Sequence, residues 1–229
     1  MAGLQPATAD TLKYDGAWFT PYDGSFTIND GNPSVLTLGV AAGGFKMTDL
    51  SGPTLPAGSS FLAWCVDIYH HLNTGSSGDS SYMRRSGEQF YGSGSTKIAD
   101  LERLASYVVD NDGNPATATV QSALVGNVQS AAFQLAVWEI VNEAGPSQNV
   151  YSGDFYVTGG DTTAKDLANT WLTYSHMWTR SQTLGVWEGA DTTQDLAVFT
   201  PVPEPETYAM MLAGLGLMGF FMRRPQRIL

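Results

Sequence analysis

Residues 124–141 constrain this chain more than any other stretch. Leu124, Val128, Ala131, Leu135 and Trp138 recur three and four apart, the spacing of one apolar helix face. Gln134 falls inside that arc, with Ala131, Val137 and Trp138 one turn away and Val141 two turns on. A primary amide on a core-facing stripe costs about 1–3 kcal/mol unless something partners it. For the helix taken alone, a hydrogen bond from Gln134 to a nearby loop is a sufficient account.

The 229 residues suffice for one large domain or two small ones with a real core. Charged residues are 14%, against roughly 25% in an average soluble protein. Together with 25 glycines and abundant Ser and Thr, this suits a secreted, strand- and turn-rich protein better than a cytosolic enzyme. The net charge of −11, with no basic run before the last few residues, excludes nucleic acid as a partner, because phosphate binding needs a cationic stripe. Cys65 is the one cysteine, so there is no intrachain disulfide, and an exported thiol must be buried or used.

The two ends carry targeting signals of unequal strength. Ala7-Thr8-Ala9 before Asp10 has the small-x-small shape of a signal-peptidase site, which makes residues 1–9 the truncated remnant of a leader. At the other end, Pro203-Glu204-Pro205 leads into fifteen uncharged residues, 208–222, and then Arg223-Arg224. A helix of that length spans about 22 Å, short of a hydrocarbon core of about 30 Å, and its arginines would stay on the cytoplasmic side. An ordinary single-span anchor is one reading. The three parts in this order resemble the PEP-CTERM sorting signal over residues 202–229. That resemblance implies export in a Gram-negative bacterium, with an exosortase in the inner membrane removing the tail, and transient anchoring before release to the cell surface or matrix.

Between these ends, strands are expected at 17–20, 25–29, 35–40 and 61–69, separated by turn signals such as Asp30-Gly31-Asn32-Pro33. Residues 73–96 read as a Gly/Ser-rich loop with a short strand at 89–91. Helical spacing runs from Lys97 past Val108, again from an Asn114-Pro115 start to Glu143 with a break at Gly126, and from about Thr163 to Arg180. Strands at 183–188 and 195–200 follow. The expected fold is α+β: antiparallel sandwich- or barrel-like strands flanking a central helical subdomain, plus a short C-terminal transmembrane helix. Its divisions are a domain at 10–200, a linker at 201–207 and the tail at 208–229.

Cys65 lies in the strand 61–69, where alternation puts it with Ala63, Asp67 and Tyr69, and puts Trp64, Val66 and Ile68 on the other face. It is either a small buried hydrophobe or a nucleophile. A cysteine hydrolase is disfavoured: His70 and His71 are too near along the strand to serve as base, and His176 sits among helix aromatics. Taken together, Trp64-Cys65-Val66-Asp67 and Phe133-Gln134-Leu135-Ala136-Val137-Trp138 resemble the two signature motifs of bacterial thioester domains. Phe133, Gln134, Val137 and Trp138 match the second motif at each defined position; Trp64 departs from the Tyr, Phe or Leu usual before the cysteine.

The resemblance implies that Cys65 and Gln134 form an internal thioester with loss of ammonia, shielded by Trp64, Phe133, Val137 and Trp138. Asp67 either orients a donor or caps a loop. The implied protein is a single-use covalent adhesin or crosslinker toward a partner's amine, neither a turnover enzyme nor dependent on a cofactor or metal. The competing expectation is a non-reactive structural or carbohydrate-binding matrix protein of the same fold. By helical geometry Glu139 and Glu143 face away from Gln134 and are expected in solvent, and helical spacing favours core packing over a sugar-binding surface for Trp171, Tyr174 and Trp178.

Overall fold

The computed structural model describes residues 9–19, 26–29, 38–75, 79–111, 119–143, 147–190, 192–202, 211–215 and 217–218. Six antiparallel strands close into a barrel. Strand β1 (Asp10–Ala17) pairs with β4 (Phe45–Asp49) and with β6 (Asp79–Ser86). From β4 the ladder runs through β5 (Ser60–Cys65), β9 (Leu196–Pro201) and β8 (Gln182–Gly189) back to β6. Beside it stands a three-stranded sheet of β3 (Leu38–Val40), β2 (Phe26–Asn29) and β7 (Tyr156–Val157).

Period-two alternation divides the barrel residues between two cores. Along β9, Leu196 and Val198 join Leu12, Met47, Ala63, Tyr82 and Trp187 in one cluster inside the barrel. Ala197 and Phe199 point the other way, joining Leu62, Trp64, Leu184 and Val186 in a larger core shared with the helices. Those helices are α1 (Gly87–Tyr91), α2 (Thr96–Asn111), α3 (Val120–Ala123), α4 (Asn127–Asn142) and α5 (Thr162–Ser175). Helix α2 lies on β8, and α4 packs on β5, α2 and α5.

Helix α4 departs from the one-face reading of its sequence. Every residue from Ser130 to Ile140 is buried, so this is a central helix enclosed on all sides. That overturns a solvated Glu139, which is 0% exposed although it does point away from Gln134. Glu143 is half-buried, and its Oε2 accepts from the Asp154 N–H.

Other differences have local causes. The long helix expected up to Glu143 is two pieces, because Leu124 leaves helical geometry and Gly126 starts α4; the expected Asn114-Pro115 start lies outside the described residues. The expected strand at 89–91 is the end of α1, started by a capping box in which Ser86 and Gln89 bond each other's backbone N–H. The preceding stretch, read as loop, contains β6. The helix expected to Arg180 stops at Ser175, and Trp178 instead donates its indole N–H to Asp110 at 2.6 Å. The strand expected at 17–20 is not there: β1 occupies Asp10–Ala17 and ends at Ala17, Trp18 and Phe19 form a bend, and Thr20 lies outside the described residues.

At the tail, residues 211–215 and 217–218 are helical. Among the described residues no helix is long and apolar enough to cross a membrane. Residues 1–8 of the expected leader remnant, and Pro203, Glu204, Pro205, Arg223 and Arg224, lie outside the described residues.

Candidate functional site

The site forms where two barrel strands differ in length. The β4–β5 ladder ends at Phe45↔Ala63, while β5 continues to Cys65. The Val66 N–H donates to the Asp195 carbonyl on the β9 side at 3.0 Å, so the N–H and C=O of Cys65 point to the side that β4 has vacated. Helix α4 fills that vacancy. Ser130 Oγ accepts the Gly44 N–H at 2.9 Å just beyond the end of β4, and Gln134 stands one turn further on. Its Oε1 accepts the Cys65 N–H at 2.9 Å, and its Nε2 donates to the Cys65 C=O at 2.7 Å. A side-chain amide thus takes the place of a strand residue, and both residues are 0% exposed.

The sulfur is buried and ordered by its surroundings. Cys65 Sγ donates to the Asp67 carbonyl at 2.7 Å. Burial pushes the thiol pKa up to about 12, and the Asp67 and Asp195 carboxylates add to the rise; the nearby Trp138 indole and the Asp67 backbone oppose it. At neutral pH the group is therefore a thiol. The Trp138 indole N–H is buried beside it with no partner in good hydrogen-bond geometry, so the thiolate gains a donor that the neutral thiol does not engage well. Trp64 meets Phe133 edge-on with ring centroids 5.0 Å apart, and Phe133 meets Phe199 at 5.6 Å, making a dry wall on the helix side. Val137 is wholly buried in the same core.

Alternation fails beyond Cys65. Residues 66–71 leave the ladder, and Tyr69 is 56% exposed instead of sharing the cysteine's face. Asp67 turns this segment: its carboxylate accepts the Tyr69 N–H at 2.8 Å and pairs with His70. Its contact with the sulfur is through the backbone carbonyl. Gln194 Nε2 donates to the Asp67 and His70 carbonyls, each at 3.2 Å, tying this loop to the β8–β9 connection. Ser130 and Asp195 are the positioning residues that sequence reasoning missed. Ser130 had a usable signal, since it sits one turn before Gln134 and a Gly-Gly pair precedes β4.

Of the three tail-ward aromatics, Trp171 is in the core. Tyr174 is 58% exposed and stacks on Tyr107, which Trp178 meets edge-on at 5.2 Å.

Comparison with known proteins bears on both parts of the chain. Residues 201–227 match the PEP-CTERM protein-sorting motif. No curated protein matches. Among solved structures, the chain is similar to the N-terminal thioester domain of a surface protein from Clostridium perfringens, at 14% identity and TM-score 0.50, covering 85% of this chain and 100% of that one. A cysteine-to-alanine variant of that domain gives 14% and 0.44, covering 63% and 84%. A pilus-presented adhesin gives 13% and 0.42, covering 88% and 50%. The chain therefore carries a PEP-CTERM sorting motif together with the fold of a surface-protein thioester domain.

Proposed function

We propose that this is an exported surface or matrix protein in which Cys65 and Gln134 form an internal thioester, spent once in covalent attachment to a partner's amine. The observation that carries the reading is the pair of hydrogen bonds locking the Gln134 amide onto the backbone of Cys65, out of water. In formation, Cys65 Sγ bonds to the side-chain carbon of Gln134, the carbon–Nε2 bond breaks, and the thiol proton leaves with the nitrogen as ammonia. The Cys65 N–H already donates to Oε1, where negative charge collects as sulfur attacks. An amide is a poor electrophile, and fixed proximity of this kind contributes on the order of 7–11 kcal/mol. The aromatic wall slows hydrolysis of the product. A partner amine, such as a lysine, then takes the acyl group, freeing the Cys65 thiol and leaving an isopeptide-like link. The sorting motif at residues 201–227 supports processing by an exosortase, with transient residence at the inner membrane as part of the proposal.

Intact mass of the purified protein tests this. The expected result is a mass one ammonia below that of the sequence, which treatment with methylamine raises by one methylamine at Gln134, to one CH2 above the sequence mass; Cys65→Ala should show neither change. A full sequence mass, with Cys65 alkylated on unfolding, would reject the crosslink and leave Gln134 as a core hydrogen-bonder in a non-reactive matrix protein.

A further inference from the structure

The barrel is unevenly closed. Strands β8 and β9 pair from Trp187↔Leu196 to Gln182↔Pro201, whereas β5 and β9 pair only at Trp64↔Ala197 and Cys65↔Leu196. Beyond those two pairs the strands part, and the opened seam is a cleft of about 220 Å³ walled by Phe61, Leu62, Val120, Val198 and Phe199. Arg84 and Trp187 also line it.

Arg84 is out of keeping with so apolar a cleft. Its guanidinium lies over the Trp187 ring, 5.3 Å from the centroid. It also rests on Gly185, where a Cβ would come within 2.0 Å of Nη2 and 2.3 Å of Cζ. Nη1 is buried and has no hydrogen-bond partner. The other described arginines each have a carboxylate: Arg85 with Glu188, Arg103 with Asp100, Arg180 with Glu102. Arg84 has none among the described residues. A guanidinium stays charged and presents a planar fork matched to a carboxylate, and leaving it desolvated and unpaired is costly. Glycine at position 185 leaves the space that this placement needs.

We infer that the open β5–β9 seam binds a small apolar monocarboxylate, with its carboxylate on Arg84 and its apolar body against Phe61, Val198 and Phe199. The chemistry selects this class. Aromatic and aliphatic walls give nothing to a small hydrated anion such as phosphate, and the chain's net charge of −11 opposes polyanions. The inference is independent of the thioester, since Arg84 contacts neither Cys65 nor Gln134 by any hydrogen bond.

The test is calorimetric titration of the full chain with 3-phenylpropanoate and with 3-phenylpropanamide, which share an apolar body and differ in charge. The acid should saturate the protein at least about tenfold more tightly than the amide, as expected for one charge-assisted hydrogen-bonded contact. Arg84→Met should remove the preference, and Arg84→Lys should retain part of it. Equal affinity for the two probes, no saturable binding of the acid at millimolar concentration, or an undiminished preference in Arg84→Met would each overturn the site. Should Arg84→Met fail to fold, the acid–amide comparison on the unaltered protein still decides.

Discussion

At the residue scale, Gln134 and Cys65 are unequal partners. The glutamine holds the backbone of Cys65, not its sulfur, so the alanine variants should differ sharply. In a Cys65→Ala background, where no crosslink can form, adding Gln134→Ala strands a buried N–H and C=O and opens a cavity. Urea denaturation should then show a further loss of about 2–4 kcal/mol. A loss under about 0.5 kcal/mol, the size of an inert surface change, would mean that the two hydrogen bonds do not hold the site. The oddity of Gln134 was legible in the sequence because helical spacing places it among apolar neighbours. Its acceptor was not legible: what Gln134 bonds depends on where β4 stops, and nothing in Phe45–Asp49 announces that β5 will outrun it by two residues. The reach of β5 was likewise overestimated, because Val66 and Ile68 are buried loop residues that continue the apolar alternation after the ladder has ended.

At the scale of elements, the long helices and the last two strands were readable because each carries apolar residues at its own period over its whole length. Strand β6 was not. Of Asp79–Ser86, only Tyr82 is fully buried, so the segment reads as a polar loop until its neighbours β1 and β8 supply the ladder. Helix α4 shows the reverse error, since its polar residues suggested a solvent face that does not exist. Glu139 carries the cost. Burial pushes its carboxyl from 4.5 to about 8, with Glu143 adding to the rise and the Asn149 N–H, bonded to Oε1 at 2.7 Å, opposing it. Because the folded value lies above the unfolded one, this group's stabilisation is fully present below about pH 4.5 and is lost as pH climbs through about 8. Glu139→Gln keeps an acceptor for Asn149 and removes the titration. Denaturation midpoints compared at pH 5 and pH 8.5 should show the variant gaining on the parent at the higher pH; a constant difference would contradict the assignment.

For the whole molecule, the barrel is complete at Pro201, and the Val202 N–H closes onto the Ser181 carbonyl at 2.8 Å. Removing everything after Val202 should therefore leave thermal unfolding of the domain within about 0.5 kcal/mol of the parent. Removing β9 as well takes away the strand between β5 and β8 and should abolish cooperative unfolding. The same strand has a mechanical meaning. β9 leaves the barrel toward the sorting motif at Pro201, while its opposite end, Leu196, pairs with Cys65. While its tail still anchors it, a chain bonded to a partner through Gln134 would carry tension along β9 from one end to the other. That direction loads the ladder bonds to β8 together, in shear, instead of peeling them one at a time.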